Sequence, residues 1–231
     1  MAQSQLNLYN LAVSACGADY TISTTGEQSV PAEICELWYE NTRQTVLRAA
    51  HWKSCKRYAR LTEEAERDLA ADWVSTDPEP GYAYSYEVPA NMLAARYLTT
   101  FEQFNLGYET DQMIISCNIG GSAATDAPIL CYTLDQTDPT AWEPDLYQAV
   151  VYGLAGHICM PLNGKPSRAK NLFDLSNFIL QDARANTANE MHRLMRTNSE
   201  RLQARGYNQA PLSPYVYPYG NTFTLTGAPT T

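Results

Sequence analysis

Between Thr140 and Leu162 the chain reads TAWEPDLYQAVVYGLAGHICMPL. Leu146, Ala149, Val150, Leu154 and Ile158 recur at helical spacing, and the residues between them are largely apolar too, so this helix has no polar side to turn toward water. It falls short of the roughly 20 uninterrupted apolar residues that cross a bilayer. Other parts of the same chain must therefore cover it, and the expectation is a central helix that Pro161 stops.

The remaining pattern supplies the cover. In residues 6–16, Leu8, Leu11, Ala12 and Ala15 keep a helical period and Gly17 sits where a left-handed cap belongs. A second, longer helix starts with Ser29 ahead of Pro31 and continues through Ile34, Leu37, Trp38, Val46 and Ala50 to His51. The helical period then fails. Pro78, Pro80 and Gly81 mark a turn before the run YAYSYEVP, where Tyr82, Tyr84, Tyr86 and Val88 fall on one strand face. Strands are also expected over residues 112–118 and 129–134, separated by the breaker GGSAATDAP. From Pro166 a pattern through Leu172, Phe173, Ile179, Ala183, Met191 and Leu194 predicts a helix of about 38 residues, or roughly 57 Å.

These elements predict an α+β chain that is mainly helical. It is a helical bundle with a small antiparallel sheet inserted over about residues 52–135, a long C-terminal helix and an extended C-terminal tail. Residues 1–205 form the main domain and residues 206–231 the tail. With 231 residues and 45% hydrophobic composition, the chain can bury a core.

Charge excludes some functions. The net formal charge is −9, against a surface built to grip phosphate backbones. It is unevenly divided: residues 1–162 carry 8 Lys and Arg against 21 Asp and Glu, whereas residues 163–231 carry 8 against 4. The two ends should meet different partners. The N-terminus lacks the basic-then-apolar order of a signal peptide, which predicts a protein made in a cytoplasm.

No constellation commits the chain to chemistry. His51 and Cys55 stand four apart with Cys35 as a conceivable third ligand, but a structural zinc needs four ligands, normally with a close pair on each side. His157 and Cys159 are two apart on a helix and point different ways. Glu63, Glu64, Glu66 and Asp68 are adjacent on one segment, whereas glycosidase carboxylates face each other across a cleft. Gly120 and Gly121 precede no helix and read as a turn. The expectation is no catalytic, cofactor or metal site.

The C-terminal region reads as an anchor. Arg193, Arg196, Arg201 and Arg205 gather at the end of the last helix and point to an acidic partner surface. Beyond Arg205 there is no charge, while prolines alternate with Tyr207, Tyr215, Tyr217, Tyr219 and Phe223, a composition suited to filling pockets in an extended conformation.

Taken in order, the helix pair ending in HWKSC, the strands YAYSYEVPANML and ILCYTL, and AWEPDLYQAVVYGLAGHICMPLNG with its following long helix resemble the tail tubular protein A family of podophages, over residues 6–190. Asn91 and Asn163 depart from residues common in that family. The resemblance implies a structural virion protein, a head-to-tail adaptor that forms a dodecameric ring beneath the portal, with a tubular nozzle protein below, tail fibres nearby and DNA passing through an acidic channel without specific binding. In that frame the expected portal contacts are Arg193, Arg196, Arg201, Arg205, Tyr215, Tyr217, Tyr219 and Phe223. A tail-borne glycan hydrolase and a non-viral helical scaffold are the competing classes.

Overall fold

The computed structural model describes residues 3–66, 74, 77–109, 112–121 and 127–190. Four helices, α1 (Gln5–Cys16), α2 (Val30–Ala49), α3 (Pro144–Asn163) and α4 (Pro166–Glu190), enclose one core, with α3 packed against the other three. Leu146, Ala149, Val150, Leu154, Ala155 and Ile158 of α3 are fully buried, as an apolar circumference requires. Each large aliphatic side chain so buried stabilises by about 1.5–3 kcal/mol.

Sequence signals mark most helix ends. Ser4 caps α1, its hydroxyl accepting from the Asn7 N–H at 3.2 Å, and Gly17 closes it in the left-handed region at φ 73°. Pro161 does not stop α3. The helix runs on to Asn163, and the left-handed Gly164, φ 62°, ends it, because a proline in a last turn removes only one backbone bond. Asn163 then donates to the Cys16 carbonyl at 2.9 Å, tying the ends of α3 and α1 together. α4 is described to Glu190, and the remainder of the expected 38-residue helix lies outside the described residues.

Between α2 and α3 the chain builds β1 (Lys56–Arg60), β2 (Thr62–Glu66), β3 (Tyr84–Glu87), β4 (Met92–Leu98), β5 (Phe104–Glu109), β6 (Gln112–Cys117) and β7 (Ile129–Leu134). They form two antiparallel sheets, ordered β1-β7-β4 and β2-β3-β6-β5. The sheets share a second core: Tyr86, Ile115 and Cys117 from one meet Leu98, Leu130 and Tyr132 from the other, and Leu61 is buried where the chain passes between them. Tyr84, Tyr86 and Val88 all reach this core, as their alternation requires.

This overturns the mainly helical bundle with a small inserted sheet. The described residues are 46% helical and 22% strand, an α+β fold in which the insertion has its own core. The strands absent from the sequence reading, β1, β2, β4 and β5, are all sheet edges. An edge strand is half solvated, so its sequence need not alternate, and KRYAR and TEEAE are mostly polar. β4 is concealed differently. Register shifts between Met92 and Ala94 and between Ala95 and Tyr97 put Met92, Ala95 and Leu98 into the inter-sheet core at a spacing of three.

Two guanidiniums join the helical layer to the sheets, and a third ties α4 to α2. Arg43 of α2, completely buried, pairs with Glu40 and Asp135 and donates to the Gln136 carbonyl at 3.0 Å, binding the helix to the segment after β7. Arg96 of β4 donates to Thr133 Oγ1 at 2.7 Å and to the carbonyls of Leu47, Arg48 and Ala50, while Arg184 of α4 reaches the Ala49 carbonyl at 2.9 Å. α2 ends without a glycine, and these two cations satisfy its terminal carbonyls and oppose the negative end of its dipole.

Two variants test this packing. Removing Arg43 (Arg43→Met) should destabilise by about 2 kcal/mol, below the cost usual for a broken buried pair because both carboxylates retain some water, and Glu40→Gln should cost less. At Gly153 an added Cβ would lie 3.0 Å from Thr42 Cγ2 and 3.4 Å from Ser176 Oγ, so α2 and α4 both close onto α3 there. Gly153→Val should cost about 1–3 kcal/mol by overpacking, read as a lower urea midpoint at unchanged slope.

Candidate functional site

The residues expected to grip a partner, Arg193, Arg196, Arg201, Arg205, Tyr215, Tyr217, Tyr219 and Phe223, lie outside the described residues. Asp68 does as well. The other sequence candidates can be placed.

All six cysteines are free and buried. Cys35 faces the helical core from α2, while Cys55 sits just before β1, so the two do not share a helical face with His51. Burial pushes the Cys16 and Cys35 thiols up to about 12, which keeps them protonated and unreactive. No group of three His, Cys, Asp or Glu side chains able to hold a metal occurs among the described residues.

His157 and Cys159 are not brought together. The His157 imidazole stacks on Trp38 of α2 with centroids 4.6 Å apart and planes 4° apart, and meets the edge of Phe173 of α4 at 4.8 Å. It packs α3 between its neighbours, and burial lowers its pKa. Cys159 points instead toward the Lys165 carbonyl. Glu63, Glu64 and Glu66 occupy the edge strand β2, which pairs on one side only, with β3, and Glu64 and Glu66 are exposed. Gly120 lies against the Tyr84 ring, where a Cβ would fall 2.3 Å from Cζ, and cradles no phosphate. An open hollow bounded by Pro80, Gly81, Tyr82, Glu102, Gln103 and Asn118 contributes one carboxylate and no nucleophile.

What the body does present is apolar surface on separate elements. Val30 and Leu37 are exposed on α2, 66% and 69%, beside the exposed Glu33, Glu36 and Glu40. On α4 Phe178 and Leu175 face outward, one helical turn apart. A third set gathers beside β1 and β4. Tyr58 and Tyr97 touch through their hydroxyls at 3.1 Å, Tyr97 stacks on Phe101 at 5.7 Å, and the Lys56 ammonium lies 5.1 Å from the Tyr58 ring. Phe101 is 66% exposed and holds φ 59°, a left-handed conformation that strains a bulky residue.

The sequence reading missed this third set, although a signal was present. Residues 41–62 contain no Asp or Glu and hold Arg43, Arg48, Lys53, Lys56, Arg57 and Arg60, six of the eight basic residues before position 163. A charge sum over the whole half conceals this basic island.

His51 borders the same set, its ring 6.3 Å from Tyr97, and neither of its buried ring nitrogens has a hydrogen-bond partner among the described residues. Burial, then the Arg96 and Lys56 charges, hold its pKa near 4 against an ordinary 6.5. A depressed folded pKa means that the fold favours the neutral ring, so its contribution is intact above pH 6.5 and is lost as pH falls toward 4. The loss should reach about 2 kcal/mol. His51→Phe should match wild type at pH 7 and lose less stability between pH 6.5 and 4, measured by urea unfolding at each pH. Compared with known proteins, the chain matches no protein-family model and no curated protein significantly.

Proposed function

We propose that this protein is a structural subunit of a head-to-tail connector, an adaptor that assembles into a ring between a phage portal and a tail nozzle and surrounds the path of the DNA. The observation that carries the reading is the exposure of large apolar side chains on separate elements: Val30 and Leu37 on α2, Phe178 on α4 and Phe101 after β4. An apolar patch left in water marks an interaction site, and a ring subunit needs a different patch for each neighbour. The order of sequence segments that resembles the tail tubular protein A family gives the ring its biological setting.

The C-terminal half of α4 supports a partner above the ring. Beyond the buried Ala183, residues 184–186 of α4 are exposed, so the helix surface there turns away from the core. In this reading the Arg193 to Arg205 region and the tyrosines that follow hold the portal. A protein of net charge −9 lets DNA, which carries a charge every roughly 1.7 Å, pass without being held. The hydrolase alternative gains nothing from Glu63, Glu64 and Glu66 on an exposed edge strand.

Mass measurement of the protein mixed with its portal should give a closed cyclic assembly, twelvefold if the resemblance holds in detail, and monomers alone would refute the proposal. A chain ending at Arg205 should keep its far-ultraviolet circular dichroism but lose portal binding. Replacing Tyr215, Tyr217 and Tyr219 together with Ala should weaken that binding by about 2–4 kcal/mol, seen by titration calorimetry.

A further inference from the structure

Two of the exposed surfaces are complementary in charge. The aromatic ledge beside β1 carries Lys56 next to Tyr58, Tyr97 and Phe101, and Lys56 and Tyr58 belong to the stretch of residues 41–62 that holds no Asp or Glu. Lys56 lies over the Tyr58 ring and forms no ion pair among the described residues. The outer face of α2 offers the opposite: Val30 and Leu37 are exposed among Glu33, Glu36 and Glu40, of which Glu40 pairs with Arg43 and Glu36 accepts from the Gly26 N–H at 2.8 Å. Apolar centres would meet apolar centres and cations would meet carboxylates.

We propose that the ledge of one copy receives the N-terminal half of α2 of the next copy. This rests on the ring reading and names the two surfaces that close it. The two patches are different and lie on different elements of one chain, so pairing them leaves each copy with a free ledge and a free α2 face, which is the heterologous contact that generates rings. The strained Phe101 has a role in this arrangement, since it stands out from the ledge where it can enter the gap between Val30 and Leu37. Duplex DNA fits the ledge less well. Phosphate grips do not need two exposed aromatic rings, and the remainder of the chain is strongly acidic.

Disulfide trapping tests the contact directly, because the six native cysteines are buried. Leu37→Cys protein mixed with Phe101→Cys protein should give a covalent dimer under mild oxidation, well above either variant alone and above a control pairing Tyr20→Cys with Phe101→Cys. Charge reversal supplies a second readout that is independent of thiols. Lys56→Glu, or Glu33→Lys, should each weaken self-association at least tenfold by sedimentation, whereas mixing the two variants should restore it to within about threefold. Wild-type rings without the Leu37–Phe101 dimer and without charge-swap rescue would overturn this pairing and leave the ring reading standing. A wild type that stays monomeric with portal and gives no dimer would overturn both. Binding of labelled duplex DNA that Lys56→Glu abolishes, with no dimer formed, would assign the ledge to nucleic acid instead.

Discussion

Where α2 stops, four consecutive carbonyls lose their helical partners, at Leu47, Arg48, Ala49 and Ala50, and no glycine follows to fold the chain back over them. Arg96 and Arg184 donate to all four. One guanidinium comes from an edge strand of the first sheet and the other from the last helix, so a single helix end fixes both the sheet and α4 relative to α2. Arg96 also carries Thr133 of the central strand β7. The Leu47 and Ala50 carbonyls are partly shielded from solvent and would each cost about 1–3 kcal/mol without a donor, whereas those of Arg48 and Ala49 are open to water and would cost less.

The junction is reinforced where the chain leaves and re-enters the helical layer. Arg43 holds Asp135 and Gln136, Glu143 accepts from the Ser54 N–H at 2.7 Å, and the Leu134 N–H donates to the Cys55 carbonyl at 2.8 Å. Entry and exit of the insertion therefore lie side by side, and an insertion with its own core is anchored as one rigid piece. That rigidity bears on the proposed connector. Interfaces on α2 and beside β1 can keep a constant angle between neighbours only if the helices and sheets cannot swing.

The candidate residues for chemistry and those for assembly separate by environment. Cys16, Cys35 and Cys159 are buried in the core, where burial keeps the Cys16 and Cys35 thiols protonated, and His157 is packed between Trp38 and Phe173. The large side chains left in water, Leu37, Tyr58, Phe101 and Phe178, stand on rigid elements with charges of one sign around two of the patches. Phe101 is strained and stacks one face on Tyr97 while the rest of its ring stays in water, a conformation that becomes intelligible when a second surface covers it.

The sequence by itself determined the helices and the central strands. α3 is legible because its apolar circumference permits only burial, and β3, β6 and β7 are legible because strands covered by neighbours must be β-branched, aromatic or alternating. Only the tertiary structure decided that the insertion is two sheets rather than one. β1, β2 and β5 are edges with mostly exposed side chains, so local composition does not constrain them, and in the half-buried edge β4 bulges replace alternation with a period of three. The aromatic surface beside β1 was hidden because it is assembled from separate elements. Lys56 and Tyr58 lie on one strand, Tyr97 on another and Phe101 in the turn beyond it, and only pairing through β7 brings them within contact. A pattern read along the chain reports what one element buries, whereas a surface is made by elements that are distant in sequence.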